Sequence, residues 1–183
     1  MWPMARNLEI KARVKDRRKL EAVVKKVAGK ANERVEQEDT YFRVPNGRLK
    51  LRVTGCKGGQ LIYYERSNQA GAPRSSDYLI VPIGDTEELK RVLGEALGIA
   101  GTVSKQRLIH LLGRTRIHLD KVKGLGDFVE LEYVFDEVNT LHPVPTAEDE
   151  RAALATVAEL MGLLGITLDN LIGNSYLDLQ AAR

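Results

Sequence analysis

The residues of this chain that could do chemistry are charged, and they recur as like pairs two positions apart. Lys50 and Arg52 flank Leu51, Lys105 and Arg107 flank Gln106, and Glu130 and Glu132 flank Leu131. Asn7, Glu9, Lys11 and Arg13 alternate with Leu8, Ile10, Ala12 and Val14. Arg114, Arg116, His118 and Asp120 fall on one parity of the segment that follows. Side chains two apart on a strand share a face, so each pair sets like charges side by side. Such pairs repel unless a counterion lies between them. Bases on several strands suit a polyanion, and a carboxylate pair suits a hard divalent cation such as Mg²⁺. Together they describe a metal-bound phosphate chain. One strand with a polar face is ordinarily a half-solvated sheet. Five such strands, poor in Ser, Thr and Gln on those faces, point instead to an enclosed charged surface.

Strands must position these residues. Period-two alternation places strands at about 6–14, 35–44, 48–55, 60–66, 75–82, 102–112, 114–122 and 127–136. Asn46-Gly47, Gly58-Gly59 and Gly124-Leu125-Gly126 mark turns, and the stretch from Ser67 to Arg74 reads as a loop. Helices are expected at about 16–28, 86–97 and 147–164. Asp16, Asp85 with Glu88, and Thr146 supply N-terminal caps, and Gly29 and Gly98 supply stops. Their apolar stripes are Leu20, Val23, Val24 and Val27; Leu89, Val92, Leu93 and Leu97; and Leu154, Val157, Leu160, Met161 and Leu164. Residues 170–183 carry no clear period. Sequential hairpins imply an antiparallel meander, and a long meander avoids bare edges by closing. The helical stripes then cover the apolar strand faces, and the charged faces line a lumen. The expected fold is α+β: a closed eight-stranded antiparallel β-barrel with about three helices packed outside, in one domain over residues 1–183.

Composition narrows the function classes. The chain has 183 residues, 43% hydrophobic and 29% charged. That is enough for a core and too polar for an integral membrane protein. No apolar run approaches a spanning length, and the N-terminus lacks signal-peptide character. The single cysteine, Cys56, excludes an internal disulfide and a cysteine metal cluster, so a reducing, cytoplasmic setting is expected. Aromatics are 5%, which speaks against a base-stacking nucleic-acid binder. The net charge of +3 favours anionic partners without requiring nucleic acid. His110, His118 and His142 are scattered and do not make a zinc site. Asp39 and Tyr41 point either into the lumen or into a hydrogen-bonded pair within the barrel wall.

The motifs resemble those of the CYTH family, which includes class IV adenylyl cyclases, thiamine triphosphatases and inorganic triphosphatases. Its first-strand signature is Glu-x-Glu-x-Lys; here Asn7-Leu8-Glu9-Ile10-Lys11 is similar, with Asn7 in place of the first Glu. Gln37-Glu38-Asp39-Thr40-Tyr41-Phe42, Gly47-Arg48-Leu49-Lys50-Leu51-Arg52 and Leu61-Ile62-Tyr63-Tyr64-Glu65-Arg66 resemble the next three strands. Lys105-Gln106-Arg107 is similar to the Lys-x-Arg pair. Arg116 to Asp120, followed by Gly124 to Glu132, resembles the last hairpin. Ser175-Tyr176-Leu177-Asp178-Leu179 resembles the C-terminal signature. The order is preserved over nearly the whole chain, and the class IV adenylyl cyclase branch is the nearest.

The resemblance implies a triphosphate tunnel and a Mg²⁺- or Mn²⁺-dependent enzyme. It implies that Lys11, Lys50, Arg52, Arg66, Lys105, Arg107 and Arg116 bind phosphate. It makes Glu9, Asp120, Glu130 and Glu132 the metal ligands, and Lys11, Arg107, Glu130 and Glu132 the catalytic residues. The implied partner is a small triphosphate: ATP, thiamine triphosphate or tripolyphosphate. No nucleic acid and no membrane are implied, and a homodimer is left open. Two chemistries share such a site: cyclisation of ATP to cyclic AMP and pyrophosphate, and hydrolysis of a triphosphate. Asn7 removes one negative charge, which implies weaker metal binding and keeps a third reading, a non-catalytic nucleotide or polyphosphate binder, in play.

Overall fold

The computed structural model describes residues 4–55, 58–66, 71–135 and 145–183. Cys56 and His142 lie outside the described residues, as does part of the expected loop before Arg74. Eight strands form: β1 (Ala5–Arg13), β2 (Glu33–Phe42), β3 (Arg48–Thr54), β4 (Gly59–Arg66), β5 (Arg74–Ile83), β6 (Ile99–Leu112), β7 (Thr115–Val122) and β8 (Gly126–Val134). They close into a barrel in the order β1-β5-β4-β3-β2-β6-β7-β8, with every neighbouring pair antiparallel. The expected closed barrel is therefore present.

The chain does not run as one meander, however. Two hairpin series, β2 to β5 and β6 to β8, are joined side by side through β2 and β6, and β1 closes the gap between β5 and β8. The cause lies in the connections. Helix α1 (Arg17–Ala28) separates β1 from β2, and α2 (Thr86–Leu97) separates β5 from β6. Neither connection is a tight turn, so those consecutive strands do not pair. Where the turns are tight the hairpins form, as at Gly47, whose φ of 61° an L side chain rarely adopts.

The main core lies outside the barrel wall. Leu8, Ile10, Leu119, Val129 and Leu131 turn outward from β1, β7 and β8 to meet Val24 of α1 and Val157 and Leu160 of α3 (Ala147–Leu164). Asp16 caps α1 by accepting from the Lys19 N–H at 3.0 Å. Thr146 and Asp149 form a reciprocal capping box on α3. Two expected burials fail. Leu154 is 43% exposed, because the buried stripe of α3 runs through Ala153, Val157, Leu160, Met161 and Leu164, and the next residue after 153 lies about 100° away around the helix. No residue of α2 is buried, and Val92 is 51% exposed. That helix leans on β2 and β3, where Lys90 pairs with Glu38 at 3.1 Å, and its stripe is only half covered.

The C-terminal residues are ordered too. A 3₁₀ turn at Leu168–Asn170 leads to Leu171, which bridges to Ala12, and Ile172 donates its N–H to the Lys11 carbonyl. Helix α4 (Tyr176–Ala181) follows, capped by Ser175. Tyr176 packs on Tyr41, Val103, Val122 and Phe128, so this segment stoppers one end of the barrel. Among the described residues no helix is long and apolar enough to cross a membrane.

Candidate active site

Strand parity carries the charged residues into the lumen. Glu9, Lys11, Lys50, Arg52, Arg66, Lys105, Arg107, Arg116, Glu130 and Glu132 all line one cavity of about 680 Å³. Their alternating partners, such as Leu51 and Leu131, are buried in the opposite direction, under the helices or in the wall. Asp120 shares the parity but sits behind Arg107, fully buried and outside the cavity lining.

Three clusters organise the lumen. In the first, Asp39 accepts from Arg52 Nε and Nη2 at 2.7 and 2.8 Å, from Lys50 Nζ at 3.1 Å and from Lys105 Nζ at 3.3 Å. Three bases thus share one carboxylate. Burial opposes ionisation of Asp39, but Arg52, Lys105 and Lys50 outweigh it and hold the carboxyl well below the usual range. In the second, Arg107 forks onto Asp120 at 2.6 and 2.5 Å and reaches Glu130 at 2.5 Å. Lys11 faces Glu130 at 3.4 Å, and the Tyr176 hydroxyl donates to Asp120 at 2.9 Å. In the third, Glu132 accepts from Asn7 Nδ2 at 2.5 Å and lies 3.4 Å from Arg116. His118 stands between Glu130 and Glu132, 3.8 and 3.9 Å away. Burial and then Arg107 push its pKa down, which favours neutral imidazole.

At the stoppered end Arg66 donates to Glu9, and Arg74 donates to the Gly173 carbonyl while lying 3.5 Å from Glu9. Arg66 keeps two buried nitrogens, and Arg74 one, without a hydrogen-bond partner. Bases therefore outnumber carboxylates in the lumen, and the surplus has consequences. Burial, reinforced by Arg52, lowers Lys50 to about 7, and burial lowers Lys11 to about 8 against the pull of Glu130. Lys105 is lowered as well, chiefly by burial. Uncompensated buried bases with unpartnered donors are the chemistry of an anion site.

The donor set also suits a hard divalent cation. Glu9 and Glu132 are cross-strand partners, and Lys11 and Glu130 are the next pair on that face. Asn7 Oδ1, buried beside Glu132, has no partner. Each carboxylate is at present held by bases, and among the described residues no three His, Cys, Asp or Glu side chains converge into a preformed cage.

Asp39 is undecided from the sequence alone, and neither Arg74 nor Tyr176 is among the site residues that its motifs imply. Arg74 ends the expected loop, yet it opens β5 and is 5% exposed; the alternation in Arg74-Ser75-Ser76-Asp77-Tyr78 is the signal that marks it. His110 lies with Nδ1 3.2 Å from the Gly29 carbonyl, away from the cavity.

A CYTH domain model matches residues 5–155. This chain belongs to the CYTH family. A Methanocaldococcus jannaschii protein, provisionally named an adenylate cyclase, is 26% identical over 180 residues, covering 94% of this chain and 97% of its own. A conserved Pyrococcus furiosus protein superposes with a TM-score of 0.78 at 24% identity, covering 94% of this chain and 99% of its own. A Hippeastrum protein, provisionally named an adenylyl cyclase and described as having a dominant triphosphatase activity, superposes at 0.62 with 13% identity, covering 96% of this chain and 95% of its own. The eight-stranded CYTH barrel with its external helices is thus common to this chain and to these two structures.

Proposed function

We propose that this CYTH protein is a metal-dependent enzyme acting on a triphosphate, with adenylyl cyclase-like conversion of ATP to cyclic AMP and pyrophosphate as the leading reading. The observation that carries it is the surplus of buried bases around one enclosed lumen that also holds a carboxylate set. Lys50, Arg52 and Lys105 would trade part of their hold on Asp39 for phosphate oxygens. Arg66, Lys11 and Arg116 would extend that line of contacts along the cavity. Arg107, locked by Asp120, would present a preorganised guanidinium to charge developing on the transferred phosphorus. Glu9, Glu130 and Glu132, with the unpartnered Oδ1 of Asn7, would hold Mg²⁺ or Mn²⁺; Asp120, committed to Arg107 and Tyr176, would position rather than ligate. When bound, the cation would neutralise charge on the phosphate chain and on the leaving group.

In the cyclase reaction the ribose 3′-oxygen forms a bond to the α-phosphorus, the bond from that phosphorus to the α,β-bridging oxygen breaks, and pyrophosphate leaves. In the second reading, water forms a bond to the terminal phosphorus, the bond from that phosphorus to its bridging oxygen breaks, the diphosphate leaves, and the terminal group is released as orthophosphate. The Hippeastrum relative favours that reading. The neutral Asn7, one negative charge short of the family signature, keeps a non-catalytic binder as the third.

The test is incubation with ATP, thiamine triphosphate and tripolyphosphate separately, each with Mg²⁺ or Mn²⁺, followed by product identification. Cyclic AMP with pyrophosphate from ATP is the expected result. Orthophosphate with the corresponding diphosphate, and no cyclic AMP, assigns hydrolysis, and no product from any of the three leaves a binding module.

A further inference from the structure

His118 is a lumen residue to which neither the phosphate contacts nor the carboxylate set gives a task. It lines the cavity from β7, directly across from Glu130 of β8, with Glu132 at the next inward position of that strand. It is 5% exposed, and among the described residues its buried Nδ1 has no hydrogen-bond partner. Its ring nitrogens lie 3.8 Å from Glu130 and 3.9 Å from Glu132. Those spans are too long for hydrogen bonds, yet one small ion or one water between the ring and a carboxylate would touch both. His110, the other described histidine, behaves differently: it lies outside the cavity with Nδ1 at hydrogen-bond distance from the Gly29 carbonyl.

Asn7 adds to the group from β1. Its Nδ2 donates to Glu132, which leaves Oδ1 buried beside that carboxylate with no partner of its own. Unpaired polar atoms from two strands therefore flank the Glu130 and Glu132 carboxylates. An unpaired buried polar atom is costly, so a ligand that gives it a partner is favoured. The two atoms differ in chemistry. The amide offers oxygen, whereas neutral imidazole offers a nitrogen lone pair. Oxygen donors suit Mg²⁺, and an imidazole nitrogen shifts the preference toward a first-row transition ion. Bases oppose a cation here while the lumen is ligand-free: Arg107 and Lys11 hold Glu130, and Arg116 holds Glu132. A polyphosphate would draw those bases onto its own oxygens and release the carboxylates, so cation and polyphosphate enter together.

We infer that His118 is a nitrogen ligand of the divalent cation, joining Glu130, Glu132 and Asn7 Oδ1 in a mixed donor set that selects Mn²⁺ over Mg²⁺. The inference rests on the metal-dependent triphosphate reading above and deepens it by naming the cation and one of its ligands.

The test loads the protein with the bis-methylene analogue of tripolyphosphate, which has no hydrolysable bridge and contains no nitrogen, and then with Mn²⁺. The protein carries histidine labelled with the heavy nitrogen isotope, and pulsed electron paramagnetic resonance reads that isotope at the Mn²⁺ ion. The natural chain should show the histidine coupling, His110→Gln should keep it, and His118→Gln should lose it. Calorimetry on the same complexes should find Mn²⁺ bound at least about tenfold more weakly in His118→Gln, with Mg²⁺ affinity within about threefold of the natural chain. Mn²⁺ bound to the natural chain without histidine coupling would mean that water bridges the ring to the carboxylates. It would overturn the inference whether or not His118→Gln folds, and leave the metal-dependent reading intact. Coupling that persists in His118→Gln, or equal losses of Mn²⁺ and Mg²⁺ affinity, would overturn it too. Failure of the natural chain to bind the analogue, or of the loaded chain to bind Mn²⁺, would overturn the metal-dependent triphosphate reading and the inference with it.

Discussion

Asp39 is the residue on which the ligand-free lumen balances. Its carboxylate is shared by Arg52, Lys50 and Lys105. Removing one partner of a buried charge network strands the others, at a cost of about 3–5 kcal/mol. Asp39→Asn should therefore lower the stability measured by denaturant unfolding by that amount. Tripolyphosphate should then raise the melting temperature more in the variant than in the natural chain, because it replaces the lost charge. An unstable variant that tripolyphosphate does not rescue would place these bases in a purely structural role. Asn7 behaves in the opposite sense. Its Nδ2 donates to Glu132, so Asn7→Glu sets two carboxylates together and should destabilise the metal-free protein. Added Mn²⁺ should more than recover the loss, since the second carboxylate attracts a divalent ion. A Mn²⁺-induced rise in melting temperature no larger than in the natural chain would remove Asn7 from the metal site. Of these two residues the sequence made Asn7 legible, as a departure from a motif. It left Asp39 open because its strand, Glu36-Gln37-Glu38-Asp39, is polar on both faces and gives no parity signal.

At the scale of elements, alternation and caps located all eight strands and the three long helices to within about three residues. They did not give the strand order. Pairing of β1 with β5 and β8 depends on closure across the whole chain, which local periodicity does not encode. Nor did they reveal α4, whose six residues are too few for a helical period, although Ser175 and Asp178 form a capping box. This short helix does more for the site than α2, whose stripe is well formed but half exposed. Tyr176 lies under Lys11 and Lys105, with their Nζ atoms 4.1 and 5.4 Å from the ring centroid, and donates to Asp120. Tyr176→Phe keeps the ring and loses the hydroxyl. It should cost about 1 kcal/mol in denaturant unfolding and lower turnover by loosening the Asp120–Arg107 pair. A variant with unchanged stability and turnover would reduce α4 to a plug.

For the whole molecule, the surplus of buried bases makes binding and stability depend on pH in opposite ways. Lys50, held at about 7 instead of 10.5, is largely neutral in the folded, ligand-free protein above pH 7 and charged in the unfolded chain. The unfolded chain then binds more protons, so these lysines make ligand-free stability rise with pH across that window. A bound triphosphate restores the charge. Binding should therefore take up protons above pH 7, with Lys11 contributing near pH 8, and affinity should fall between pH 7 and 9. Calorimetry in buffers of different ionisation enthalpy reads this uptake, and proton release on binding would contradict it. The enclosure that creates these shifts was legible as like-charged pairs on five strands. The aliphatic part of its lining was not, because Ile62, Ile80, Ile109 and Leu111 look like ordinary core residues until the barrel turns them inward.

The central claim is that the basic lumen is where a triphosphate binds. Titration of ATP into the natural chain and into Arg52→Gln, at pH 7 and low salt without divalent metal so that no turnover intervenes, tests it most directly. Arg52 lines the cavity with a forked guanidinium that a neutral amide cannot replace, and a charge-assisted contact contributes about 1.5–3 kcal/mol. One ATP per chain, with affinity at least about tenfold weaker in Arg52→Gln, is the predicted result. No binding to the natural chain, or equal affinity for both proteins, would contradict it.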